Sequence, residues 1–177
     1  MEDFGDFFKI GIPPIVLYIS LIVTLVVSVF CYFPPLVKKI HSVLIAIFVE
    51  YLFIIVCSTI ICRGQQSFEY AKLELEPFGT YKAVIERVPG VSVWDIILNV
   101  ILFVPLGILI KLVYPAISFG KTLIVAVCCS LFIETNQYIF EKGIAQMDDV
   151  IHNSLGGAIG WLLSYGIQCL YLRKETR

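Results

Sequence analysis

A chain of 177 residues, 59% hydrophobic and only 15% charged, has too little polar surface for a water-soluble domain. Its mean hydropathy of +0.91 points to the bilayer as its solvent. A formal net charge of −1, with 13 dispersed Lys and Arg, offers no concentrated basic field, so no nucleic-acid partner is expected.

The N-terminus opens on acidic Glu2, Asp3 and Asp6, and no small-residue cleavage site follows the first apolar run, which is therefore expected to stay as an anchor. About 20 apolar residues cross the hydrocarbon as a helix. Segments 12–33, 40–62, 94–114, 120–140 and 149–172 meet that length. Pro13-Pro14 suits a first helical turn, and Pro34-Pro35 makes a tight connection to the second segment. The expected fold is an all-α integral membrane protein: a single membrane domain over 1–177, with a bundle of about five transmembrane helices and one long extracytoplasmic loop. Localisation is expected to be the cell membrane, multi-pass.

That loop, about 63–93, sets Arg63, Lys72, Lys82 and Arg87 against Glu69, Glu74, Glu76 and Glu86. It is too long for a plain turn and too balanced for a basic tail, which suits a short amphipathic or re-entrant piece. Lys38, Lys39, Lys111, Lys121, Arg173, Lys174 and Arg177 would fall on one side of the membrane, in short segments. Lys9, Arg63, Lys72, Lys82, Arg87 and Lys142 fall on the other. The positive-inside rule then puts the N-terminus outside and the C-terminus inside, with the long loop and the 141–148 turn both outward.

Ionisable residues in membrane helices are costly and usually face a bundle interior or a wet cavity. The third segment begins with Asp95 and carries Asn99; the fourth carries Glu134 and Gln137 near its outer end; the fifth begins near Asp148 and Asp149 and carries Asn153. Spacings of three or four keep each pair on one helix face. On the orientation above they share one depth, and a polar cavity open to the outside is expected between helices three, four and five. The competing reading is that these groups only hydrogen-bond helix to helix; three carboxylates exceed that need and favour a binding site. Gly156, Gly157 and Gly160 read as a packing face. Pro105 and Gly107 predict a kink with a freed carbonyl near Ile101. Glu50 reads as structural. Cys31, Cys57, Cys62, Cys128, Cys129 and Cys169 read as small hydrophobes, lacking metal-ligand spacing.

These positions have a familiar order. Asp95-Ile-Ile-Leu-Asn99, running on to Phe103-Val-Pro105-Leu-Gly107, is followed by Ser130-Leu-Phe-Ile-Glu134-Thr-Asn-Gln137. Asp149-Val-Ile-His-Asn153 then leads to Gly156-Gly157 and Gly160, with Leu75-Glu76-Pro77-Phe78 upstream. Over about 73–165 this resembles the VanZ family. The chain departs from the family pattern at Gln146, where an acidic residue is usual, and at Lys142 or Gly143, where an Arg often precedes it.

The resemblance implies a cell-envelope, antibiotic-resistance protein that lowers susceptibility to the lipoglycopeptide teicoplanin. Partners would be the lipid bilayer and a lipid-linked cell-wall precursor or lipoglycopeptide, bound at Asp95, Asn99, Glu134, Gln137, Asp148, Asp149 and Asn153. A membrane enzyme acting on a lipid-linked phosphate or sugar is the alternative, with Glu134, Asp148 and Asp149 holding a cation such as Mg²⁺. His41 and His152 have no Ser or Cys partner at suggestive spacing, which weighs against catalysis. A transporter subunit ranks lower and would call for a homo-oligomer, since no internal repeat is visible. No cofactor is indicated.

Overall fold

A computed structural model of the chain describes backbone over residues 36–61, 73–89 and 91–175, and side chains over 40–61, 73–89 and 91–170. The segment expected at 12–33 lies outside the described residues. The chain divides into two compact units, Met1–Gly64 and Gln65–Arg177.

In the first unit, helix α1 (Leu36–Val56) runs into a π-helical turn over Cys57–Ile61. A switch from α to π geometry disturbs the regular bonding at the junction. There the hydroxyls of Ser58 and Thr59 both donate to the Ile55 carbonyl, at 3.0 and 2.7 Å. Glu50 lies on α1, half-buried.

The second unit contains strand β1 (Leu73–Glu74), helices α2 (Gly79–Ile85), α3 (Val93–Val113) and α4 (Phe119–Ile139), strand β2 (Ala145–Gln146) and helix α5 (Met147–Glu175). Ser92 starts α3 with a capping box. Its hydroxyl accepts from Trp94 N at 2.9 Å, and its own N–H donates to Asp95 Oδ2 at 2.8 Å. Helix α4 ends in a Schellman turn, with Glu141 at φ 52°, Lys142 N donating to Gln137 O and Glu141 N to Tyr138 O. Helix α3 passes through Pro105 without interruption.

The chain is an all-α membrane protein. Among the described residues, Ile40–Ile61, Val93–Val113 and Phe119–Ile139 are long and apolar enough to cross a bilayer. Helix α5 is longer still at 29 residues but less uniformly apolar. Its polar residues point inward: His152, Asn153, Ser154 and Ser164 are buried, while Leu155, Leu162, Leu163 and Ile167 are exposed. Cys57, Cys128, Cys129 and Cys169 form no disulfide.

Helices α3 and α5 run parallel, with their backbones in contact. Val100 meets Gly156, Val104 meets Gly160 and Gly107 meets Gly157: a Cβ added at Gly156, Gly160 or Gly107 would lie 2.1 Å from a carbonyl oxygen of the facing helix. The seam therefore needs glycine from both sides. Helix α4 runs antiparallel to α5, with Ser130 against Asn153 and Phe119 against Trp161. β1 pairs in parallel with β2, Leu73 opposite Ala145 and Glu74 opposite Gln146, so the long loop and the α4–α5 turn meet at one end of the helices.

Candidate functional site

At that end, Asp148 and Asp149 open α5 about 100° apart around the helix and turn to different neighbours. Asp148 is 2% exposed. Its two oxygens accept the N–H groups of Phe78 at 2.5 Å and Thr80 at 2.7 Å. Phe78, in left-handed backbone at φ 67°, is the N-cap of α2 and supplies no side-chain cap of its own. A carboxylate some seventy residues further along the chain thus caps α2, where the helix dipole favours negative charge.

Asp149 accepts from Asn99 Nδ2 at 2.6 Å and ties α5 to α3. One turn deeper, Asn153 donates to Ser130 Oγ at 2.8 Å and ties α5 to α4. Glu134, 6% exposed, accepts Gln146 N–H at 3.0 Å, and Gln146 Nε2 reaches Glu74 at 2.8 Å. Gln137 is buried three residues beyond Glu134 on the same face. Asn99, Glu134, Gln137, Asp148, Asp149 and Asn153 therefore gather at one end of the unit. Asp95 does not join them: it is exposed, and its carboxylate serves the α3 cap.

The three carboxylates suggested as cation ligands also part company, because each is turned toward a different N–H donor. Among the described residues, no group of three or more His, Cys, Asp or Glu side chains is placed to hold a metal ion. Of the space expected between helices three, four and five, the α3–α5 side is closed by the glycine seam. A cavity of about 180 Å³ lies instead between β1, β2, α4 and the start of α5. Its lining is almost wholly apolar, with Leu73, Leu75, Leu131, Met147 and Val150 as its wall and Glu134, Thr135, Tyr138 and Gln146 beside them. Of the seven candidate residues, Glu134 alone lines it.

Two features escaped the sequence. His152, which the sequence offered only as a histidine without a nucleophile partner, is 1% exposed, and its Nε2 lies 2.9 Å from Tyr81 OH, with the rings edge to face at 5.4 Å. Its position four residues after Asp148, on the same helix face, was the available signal. Lys111, read as a flanking charge, is buried at the opposite end. It donates to the carbonyls of Pro115 and Ile117 and sits 5.2 Å from the Trp161 ring centre and 5.8 Å from that of Tyr165.

These features define a helical membrane protein in which a strap, β1 and α2, is bonded to the head of a glycine-seamed helix pair. The VanZ/LLP1 family model matches residues 42–168, and the chain belongs to that family. Protein VanZ of Enterococcus faecium is 29% identical over 112 residues, covering 62% of this chain and 62% of its own length, less than two thirds of that relative. No solved structure matches the chain.

Proposed function

We propose that this VanZ-like chain lowers susceptibility to teicoplanin by binding, from the outer face of the cell membrane, a lipid-linked envelope molecule or the lipid tail of the glycopeptide. The observation that carries this reading is the cavity beside Glu134, whose apolar wall and few polar groups suit an amphiphile. The occupied carboxylates fit a rigid frame around a binding site better than a shared catalytic cation. The experiment is expression in a teicoplanin-susceptible Gram-positive host, with inhibitory concentrations measured for wild type, Leu131→Trp and Leu162→Trp. Leu131 lines the cavity, whereas Leu162 is an exposed leucine of α5 outside it. Leu131→Trp should fall to the empty-vector level at unchanged abundance while Leu162→Trp protects fully. Full protection by Leu131→Trp at equal abundance would refute the proposal.

A further inference from the structure

Helix α2 sorts its residues into three faces. Thr80 is buried and Ala83 and Val84 are half-buried, so one face is packed against the rest of the unit. Phe78, Tyr81 and Ile85 are all exposed, Ile85 at 80%. At about 100° per residue those three fall within one sector of about 60°. Lys82 and Glu86, also exposed, occupy the adjoining sector, and the packed residues take the opposite side. The helix is therefore packed on one face, apolar and open on the second, charged and open on the third. Water suits the charged face; a contiguous apolar one marks a contact with something other than water. The Phe78 and Tyr81 rings lie together on it, with centres 6.0 Å apart.

The position of α2 along the bundle indicates what that contact is. Asp148, at the start of α5, holds the Phe78 and Thr80 amides, and Tyr81 OH lies 2.9 Å from His152 Nε2, so the strap is fixed at the helix ends. Helix α3, long and apolar enough to cross a bilayer, starts at Val93, eight residues after Ile85, and its first turn exposes Val93 and Trp94. The open apolar face of α2 thus continues into that of a spanning helix, at the level where the helix enters the hydrocarbon and where Trp and Tyr gather. A second copy of the chain suits the face less well. A stable protein interface draws on about 20–30 residues a side, and α2 offers a single short turn of apolar side chains.

We propose that α2 lies in the surface of the leaflet at that end of the helices, with Phe78, Tyr81 and Ile85 sunk into the lipid and Lys82 and Glu86 turned to the headgroups. Bilayer lipid is then the partner of the strap, and α2 is an interfacial anchor that fixes the depth of the α5 head.

The test uses the full chain in phosphatidylcholine nanodiscs, in a background without other cysteines, with a nitroxide attached in turn at Phe78→Cys, Ile85→Cys and Glu86→Cys. Collisions with oxygen, which concentrates in hydrocarbon, against those with a water-soluble nickel chelate give the depth of each label. The labels at 78 and 85 should lie about 5–10 Å below the lipid phosphates, the depth of an interfacial helix, and the label at 86 at or above them. Nickel access at 85 equal to that at 86 would leave the face in water and overturn the proposal. A label at 85 that neither reagent reaches would overturn it as well, since protein would then cover the face; spectral broadening relieved by dilution with unlabelled chain would identify that cover as a second copy. All three labels deep in the hydrocarbon would refute the surface position in favour of a re-entrant segment.

Discussion

Replacing Gly156 by Ala puts a methyl group where the α3–α5 seam has no room for it. The added Cβ would lie 2.1 Å from Val100 O and 2.9 Å from Phe103 Cβ. Ordinary C···O contact begins near 3.3 Å, so the helices must part by about 1.2 Å. The obstructing atom is a backbone oxygen, which cannot rotate away as a long side chain could. Overpacking a core usually costs about 1–3 kcal/mol. Parting the helices adds to that, since a gap of about 1 Å forfeits up to half of each dispersion contact along the seam. It also strains the Asn99–Asp149 bond. A loss of about 3 kcal/mol is expected, at the upper end of the overpacking range. Gly166→Ala, where an added Cβ meets nothing within 4 Å, is the matched control and should change stability by less than about 0.5 kcal/mol. Reversible unfolding in mixed micelles with rising SDS, followed by circular dichroism, measures both. Wild-type stability in Gly156→Ala would refute the backbone contact and, with it, the parallel packing of α3 on α5.

Asp148→Ala should release α2, because the amides of Phe78 and Thr80 lose their acceptor, at about 1–3 kcal/mol for each donor left without one. Hydrogen exchange should then quicken in the 77–85 peptide while α3 stays protected; unchanged exchange there would discard the capping role. The parallel pairing of β1 with β2 predicts that Leu73→Cys and Ala145→Cys, in a background without other cysteines, form an oxidative cross-link, whereas Ile85→Cys with Ala145→Cys does not. The same pairing places Glu76 and Lys142 on one side of the membrane, so cysteines at both should react with an impermeant maleimide in intact cells if that side is outer. Labelling of one without the other would break the arrangement.

What the sequence determined by itself is the solvent and the helices. Hydropathy is a local sum along the chain, so expected spans at 94–114 and 120–140 became helices at Val93–Val113 and Phe119–Ile139. The polar residues at one end were legible for the same reason: their position along each helix fixes their depth. What each polar group does was not. Asp95 and Asp148 are both acidic residues at a helix start, yet one caps its own helix in the open and the other, buried, caps a helix far away in the chain. The tertiary structure decided this through rotation and approach. Gly107, Gly156 and Gly160 let α3 and α5 touch backbone to backbone, which closes one side of the space expected between helices three, four and five. The pairing of β1 with β2 then leaves the remaining room beside Glu134, between residues too far apart in sequence for any local pattern to join.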